Sequence, residues 1–243
     1  MTAGFTELIP PPTHGRVFTQ PARPGLADCA PSGRTRLDAL ARMLQDVAYA
    51  DVDDAGLATG AAWVVRRTRL RVDRWPRFGE RMTLRTFCSG LGRMWAERRT
   101  TIATGESAAD VEAVSLWVHL DPESWRPRPF DDLELAIYGE AAGGRQVSAR
   151  LRHPRPANTG DGQSWRFRAT DCDIAGHVNN AAYWQPLEEH LLASAEPERL
   201  DVELEYRAPT GPGEKEVLRD GNRWWILEPS GETLASLIVS AAR

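Results

Sequence analysis

TDCDIAGHVNNAAYWQPLEE, residues 170–189, packs two carboxylates, a glycine, a histidine and two asparagines into its first eleven positions and then runs straight into an apolar pattern. Asn179 or Asn180 is placed to cap a helix over Asn180–Ala193, since a short side-chain oxygen can accept from the free amides of a first turn. Val178, Ala181, Ala182, Leu187, Leu191 and Leu192 make that helix apolar over most of its circumference. Pro186 fits only in its first turns, where a missing N–H costs least. A helix that is apolar nearly all round has to be wrapped by other structure.

The wrapping is visible on both sides. Upstream, Trp165–Ala169 reads as a strand. Downstream, Val202, Leu204 and Tyr206 alternate with Glu203, Glu205 and Arg207 across a strand at Asp201–Arg207. A GPGE turn follows, then strands near Glu216–Arg219, Arg223–Leu227 and Thr233–Ser240.

The same plan stands earlier in the chain. Residues 1–13, with three successive prolines, read as a loose lead-in, and a short strand is expected over His14–Gln20 before Pro21, Pro24 and Gly25 interrupt it. Leu37, Leu40, Leu44, Val47 and Ala48 give helical spacing over Leu37–Ala50, with Asp38 suited to the first turn. Strands are expected over Trp63–Val72, Arg81–Cys88, Met94–Ala103 and Ala109–Leu120. In the first, Val64, Thr68, Leu70 and Val72 point inward and Arg67, Arg69 and Arg71 outward, although Arg66 spoils the inner row. A Pro-, Gly- and charge-rich stretch from Asp121 to Gly162, with a short helical piece at Leu133–Tyr138, connects the two halves.

Three short matches recur in the same order: DCAPSGR (28–34) with DCDIAGH (171–177), RFGERMTL (77–84) with GPGEKEVL (211–218), and ATGES (103–107) with PSGET (229–233). Together they indicate duplication. A strand, a buried helix and an antiparallel run, repeated, is the hotdog plan. The expected class is α+β: two tandem hotdog domains, at 1–128 and 163–243 with a linker at 129–162, forming an intramolecular pseudo-dimer.

Composition narrows the partners. In 243 residues, 34 acids against 30 bases give a net charge of -4, which argues against general nucleic-acid binding. There is no apolar run long enough to cross a membrane and no secretory signal in MTAGFTELIPPPTHGR. Cys29, Cys88 and Cys172, an odd number without CxxC spacing, argue against a disulfide framework or a metal site and for a reducing cytoplasm.

The chemistry is expected in 171–180. Asp173 is suited to activate water as a base or to attack a carbonyl directly. His177 can orient that water or shuttle its proton. Asn179 can hydrogen-bond substrate, though it serves equally as a helix cap. Gly176 lets a substrate approach the backbone, and amides over Gly176–Asn180 are placed to polarise a carbonyl. Glu189 is an alternative base or substrate contact; a solvated glutamate is the plainer reading. Tyr183 and Trp184 read as core or pocket wall, and Cys172 alternates away from its aspartate neighbours.

Asp171, Asp173, Gly176, His177, Val178, Asn179, Asn180, Tyr183 and Glu189 resemble the active-site segment of hotdog thioesterases. The tandem layout, with LQDVAYADVDDAGLATGAAWVVRRTRLRVDRWP (44–76), WAERRT (95–100), WVHLDPESWRPRP (117–129) and LEYRAPTGPGE (204–214), is similar to the acyl-acyl-carrier-protein thioesterase family. The resemblance implies hydrolysis of fatty acyl-acyl carrier protein in fatty acid biosynthesis, with no cofactor. It assigns Asp173, His177 and Asn179 to catalysis and Gly176, Asn180 and Glu189 to substrate binding. The chain departs from the plant-type pattern at Ala175, where that family has asparagine, and at Pro209 and Thr210, where it has Glu-Cys. An acyl-CoA thioesterase of the same fold and a non-catalytic acyl-binding protein are the alternatives.

Where the second copy has Asp173 and His177, the first has Ala30 and Arg34. The resemblance therefore gives the first domain the acyl-chain pocket, floored by Leu40, Met43, Leu44 and Val47. Eleven arginines and three acids lie between Arg66 and Arg99, and the face carrying Arg67, Arg69 and Arg71 is a candidate to steer an acidic, phosphopantetheine-bearing carrier protein. Arg126, Arg128, Arg152 and Arg155 are alternatives, as is a plain solvated face. Further dimerisation through exposed sheet edges to a homodimer is left open.

Overall fold

The computed structural model describes residues 5–105, 109–157 and 161–240. Glu106 and Ser107 of the third repeat match, the first four residues, part of the linker and the last three residues lie outside them.

The first half contributes β1 (Phe18–Ala22), α1 (Leu37–Asp54), β2 (Ala62–Val72), β3 (Met82–Leu91), β4 (Trp95–Ala103) and β5 (Val111–Leu120). After α2 (Asp132–Ala142), the second half contributes β6 (Asp161–Phe167), α3 (Gln185–Leu192), β7 (Leu200–Tyr206), β8 (Gly213–Asp220), β9 (Arg223–Leu227) and β10 (Thr233–Ser240). All ten strands form one antiparallel sheet in the order β1-β3-β4-β5-β2-β7-β10-β9-β8-β6. Each half supplies five adjacent strands, and β2 meets β7 at the centre. This is the double hotdog, α+β, with both helical segments packed on one face of the shared sheet.

The core joins the halves. Leu37, Leu40, Leu44 and Val47 of α1 cluster with Val178, Ala181, Ala182, Trp184 and Leu187, and with Leu70, Val72, Val202 and Leu204 from the central strands. Trp184 is fully buried, and its indole donates to the Tyr206 hydroxyl (3.0 Å).

Four local expectations change. Strand β1 continues through Pro21, which an edge strand tolerates because no neighbour needs its missing N–H. In β2 a bulge between Val65 and Arg67 takes Arg66 out of register, so Val65 rather than Val64 joins the inner row. The expected second helix begins as a 3₁₀ turn over Asn180–Trp184 and becomes α-helical only at Gln185. Pro186 explains the change: it has no N–H to donate to a carbonyl four residues back, and Gln185 instead donates three residues back, to Ala182.

The fourth concerns the outer face. Arg67, Arg69 and Arg71 lie opposite Glu205, Glu203 and Asp201 across the β2–β7 seam. Arg69 chelates Asp201 (2.9 and 2.6 Å), and Arg67 is 5% exposed, within 3.9 Å of both Glu203 and Glu205. The lead-in packs here as well: Thr6 N donates to Glu203 (2.8 Å), and Arg99 donates to the Ile9 carbonyl (3.0 Å). The connector crosses the same face, with Arg152 N and His153 N donating to Glu205 (2.6 and 3.0 Å) and Trp225 to the Pro154 carbonyl (2.9 Å). Burial pushes the Glu203 carboxyl up, but hydrogen bonds from His153 and Thr6 and the charge of Arg152 outweigh it and hold the group at about 2. Arg67 and Arg69 therefore belong to an internal seam between the halves, while Arg71, partly exposed, pairs with Asp73 of its own half (2.9 Å). The row as a whole is not a free steering face.

Candidate active site

Residues 171–180 form a tight loop whose bonds aim the Asp173 side chain. Asp173 N donates to the His177 carbonyl (3.0 Å), and Gly176 N returns to the Asp173 carbonyl (3.0 Å). Gly176 has φ +77°, a left-handed conformation that a side chain would strain. The Asp173 carboxylate accepts from Ala175 N at Oδ1 (2.9 Å) and from Asn179 Nδ2 at Oδ2 (3.1 Å). Both oxygens are thus held by neutral donors in a fixed orientation.

Asn179 does two jobs. Its Oδ1 caps the 3₁₀ turn by accepting from Ala181 N (2.9 Å) and also accepts from Gln45 Nε2 (3.0 Å). Gln45 Oε1 in turn accepts from Asn180 Nδ2 (3.3 Å). A chain of amides therefore runs from α1 of the first half through Asn179 to Asp173 of the second. Gln45 was not anticipated from sequence. The signal was available: the repeat spacing that carries Asp28 onto Asp171 carries Gln45 onto Glu188.

The expected amide donors are only partly free. Val178 N is taken by the Thr210 carbonyl (2.9 Å), Asn179 N by the Asp171 carbonyl (2.8 Å), and Gly176 N as above. The amides of Ile174 and Asn180 have no acceptor among the described residues, and both residues line the adjacent cavity.

That cavity is about 530 Å³ and draws on both halves. Asp173, Ile174, Ala175, Asn179 and Asn180 form one side. Gln45, Ala48, Tyr49 and Val52, which share one face of α1, form another. Strand residues such as Ala96 and Trp117 close the sheet side, and Phe130, Leu135 and Tyr138 around α2 cover it. The α1 wall is therefore the face next to the expected one: Leu40, Leu44 and Val47 are buried in the core instead. Cys88 also lines the cavity, but burial pushes its thiol up to about 11, so it carries no thiolate nucleophile at neutral pH.

The sequence candidates separate in space. Asp173, Asn179 and Asn180 come together on the cavity. The His177 side chain is exposed and makes no hydrogen bond among the described residues. Glu189 is exposed on α3, while its neighbour Glu188 is buried against Arg34 (2.9 Å) and caps α1 by accepting from Leu37 N (3.0 Å). Tyr183 and Trp184 are core, and Cys172 packs against the same cluster. Thr210 supports the loop through its carbonyl, and its hydroxyl donates to Glu228.

The fold and an aspartate-bearing cavity shared between halves define a double-hotdog thioester hydrolase. The acyl-ACP thioesterase N-terminal domain matches residues 23–138 and the acyl-ACP thioesterase C-terminal domain matches residues 156–219, and the chain belongs to this family, whose reaction is hydrolysis of acyl-acyl carrier protein. An acyl-ACP thioesterase from Bacteroides thetaiotaomicron superposes with a TM-score of 0.77 at 18% identity, covering 92% of this chain and 98% of that one. The 12:0-ACP thioesterase from Umbellularia californica superposes at 0.73 with 20% identity, covering 93% and 97%. An uncharacterized Mycobacterium tuberculosis protein is 28% identical over 216 residues, covering 87% of this chain and 85% of its own length.

Proposed function

We propose that Asp173 is the general base of acyl-ACP hydrolysis and that Asn179 and Gln45 position it. The observation that carries this reading is a carboxylate oriented at both oxygens on the wall of a largely apolar cavity of about 530 Å³. A water beside Asp173 gives up a proton as its oxygen bonds to the thioester carbon. The carbonyl oxygen becomes an oxyanion, which the Ile174 and Asn180 amides are free to receive. The C–S bond then breaks, and the proton held by Asp173 passes to the departing thiolate. Direct attack by Asp173 is the second reading. It would expel the thiolate and leave a mixed anhydride on Asp173; if water then opens that anhydride at the aspartyl carbon, an aspartate oxygen enters the first product molecule, which a single turnover in heavy-oxygen water reads, and trapping of the anhydride by hydroxylamine reads either route.

The division into 1–128, 129–162 and 163–243 is part of this proposal, with the first unit supplying most of the acyl pocket and the second the base. The acyl carrier protein is the proposed carrier. With Arg67 and Arg69 committed to the seam, Arg126, exposed beside the cavity residue Trp125, is the basic residue proposed to meet it. Hydrolysis of the same acyl group on carrier protein and on CoA, measured by thiol release, tests the reading. Preference for CoA would move the chain to acyl-CoA hydrolysis, and acyl binding without turnover would remove the catalytic role of Asp173.

A further inference from the structure

Asn179 holds the Asp173 carboxylate, and a row of buried bonds holds Asn179. Its Oδ1 accepts from the amide of Ala181 (2.9 Å), and the carbonyl of that same peptide, on Asn180, accepts from the Tyr206 hydroxyl (3.1 Å). The Tyr206 oxygen in turn accepts from the Trp184 indole (3.0 Å). The peptide between Asn180 and Ala181 is thereby fixed at both ends, at its oxygen by Tyr206 of β7 and at its nitrogen by Asn179. From there the row continues without a gap, Asn179 Nδ2 donating to Asp173 Oδ2 (3.1 Å). Trp184 is fully buried and Tyr206 is 8% exposed. Burial pushes the Tyr206 phenol up, so it keeps the proton it donates. Bonds in such a row also polarise one another, because a peptide whose carbonyl accepts becomes a stronger donor at its N–H.

Among the described residues the first copy has no such row. The spacing that carries Asp28 onto Asp171 carries Arg36 onto Asn179 and Ala41 onto Trp184. Pro76 and Thr210 accept the corresponding loop amides, from Thr35 (2.8 Å) and Val178 (2.9 Å), and the spacing between them carries Val72 onto Tyr206. Val72 has no hydroxyl and Ala41 no indole, although both positions are buried, and the Arg36 side chain makes no cap at the start of its helix. The duplicated scaffold therefore folds without the row, which is built only in the copy that carries the aspartate.

Resting on the reading of Asp173 as the base, we infer that Tyr206, backed by Trp184, is a positioning residue for the reaction: its hydroxyl fixes the Asn180–Ala181 peptide, the peptide fixes Asn179, and Asn179 orients the carboxylate. Tyr206 is not among the residues lining the 530 Å³ cavity, so losing its hydroxyl should change turnover and leave substrate affinity in place.

The test uses the full chain and an acyl-acyl carrier protein substrate, with Tyr206→Phe, Asn179→Ala and the double variant. Tyr206→Phe is expected to lower kcat by roughly tenfold, the worth of one hydrogen bond, with KM within about twofold of native. In the Asn179→Ala background the same substitution should cost no more than about twofold, because the row is already cut. An unchanged kcat, a loss carried by KM, or a loss that multiplies with that of Asn179→Ala would overturn the inference. Tyr206→Phe strands the Trp184 indole in the core, so urea unfolding is measured beside activity. If that variant does not fold, combining it with Trp184→Phe removes both polar partners together, and the same kinetic outcomes decide. The side-chain amide signal of Asn179 in nuclear magnetic resonance, assigned by its loss in Asn179→Ala, gives a readout without turnover and should move or broaden in Tyr206→Phe. Full activity in Asp173→Ala would remove the base reading and this inference with it. Inactive Asp173→Ala, beside native kcat and an unmoved Asn179 signal in Tyr206→Phe, would remove this inference alone.

Discussion

The loops at 25–36 and 168–179 have the same backbone and opposite contents. In the first, Ala30 N donates to the Arg34 carbonyl (2.8 Å) and Gly33 N to the Ala30 carbonyl (2.8 Å); in the second, Asp173 N and Gly176 N make the corresponding bonds at 3.0 Å each. Gly33 and Gly176 share a left-handed conformation, at φ +85° and +77°. Asp28 and Asp171 each reach back to an amide three residues earlier (2.9 and 2.7 Å). The partner helix also answers alike: Glu188 of α3 reaches the first loop as Gln45 of α1 reaches the second. The loop geometry is therefore scaffold, and it makes no site by itself. In the first copy, a buried Arg34 pairs with Glu188 and stacks 4.6 Å from the Trp75 ring, filling the space with a structural contact. In the second, Asp173 stands on a cavity.

Removing the carboxylate should have the largest effect. Asp173→Ala is expected to lower kcat/KM by about a thousandfold, the range of a lost general base, while the fold survives. Adding Ala30→Asp to that variant should restore nothing, because the first loop faces Arg34 and Glu188 instead of substrate. Recovery of thiol release in the double variant would show that the loop alone suffices.

The first copy should break in stability instead of activity. Arg34→Ala leaves the Glu188 carboxylate buried and uncompensated, an expected cost of about 3–5 kcal/mol in denaturant unfolding. A loss below about 1 kcal/mol would mean that this ion pair is not what holds the loop to α3.

Between the halves, the seam should respond to acid. Glu203 sits at about 2 against an ordinary 4.5, so its contribution is fully present above about 4.5 and is lost as pH falls toward 2. The shift corresponds to about 3 kcal/mol. Glu203→Gln should be less stable at neutral pH yet show a flatter decline in urea unfolding between those values. A slope equal to that of the native protein would assign acid sensitivity elsewhere.

Much of this was legible in residues. The duplicated loop, both central helices and every strand of the order strand–helix–strands leave periodic or turn-forming signatures, because each buries one face or needs a glycine at positive φ. What sequence could not carry was pairing between distant strands. Arg67, Arg69 and Arg71 alternate as a solvated face would, and nothing local shows that Glu203, Glu205 and Asp201 stand opposite them. The bulge that hides Arg66 is likewise set by its partner strand. Gln45 was overlooked because one amide on a helix has no local signal; only the repeat offset exposes it.

Gln45 sharpens the comparison at smaller amplitude. Gln45→Ala frees Asn179 to rotate away from Asp173, and roughly a tenfold fall in kcat with little change in KM is expected, since the amide chain orients the base and holds no substrate. Gln45→Glu, which copies the first loop's partner, should do no better. A glutamate can accept from Asn180 but cannot donate to Asn179 Oδ1. Full activity in Gln45→Glu would show that the donor is dispensable.

The smallest effect is expected at His177. Its residue supplies a carbonyl to the Asp173 amide, a bond that any side chain at this position can preserve. The ring itself is exposed and is not among the residues lining the cavity. His177→Ala should therefore cost far less than the roughly hundredfold expected for a working general acid or base, and it should leave the pH–rate profile in place. A fall of that size, or loss of one limb of the profile, would require the ring to swing over Asp173 when substrate binds. The second copy would then differ from the first in two proposed catalytic groups instead of one.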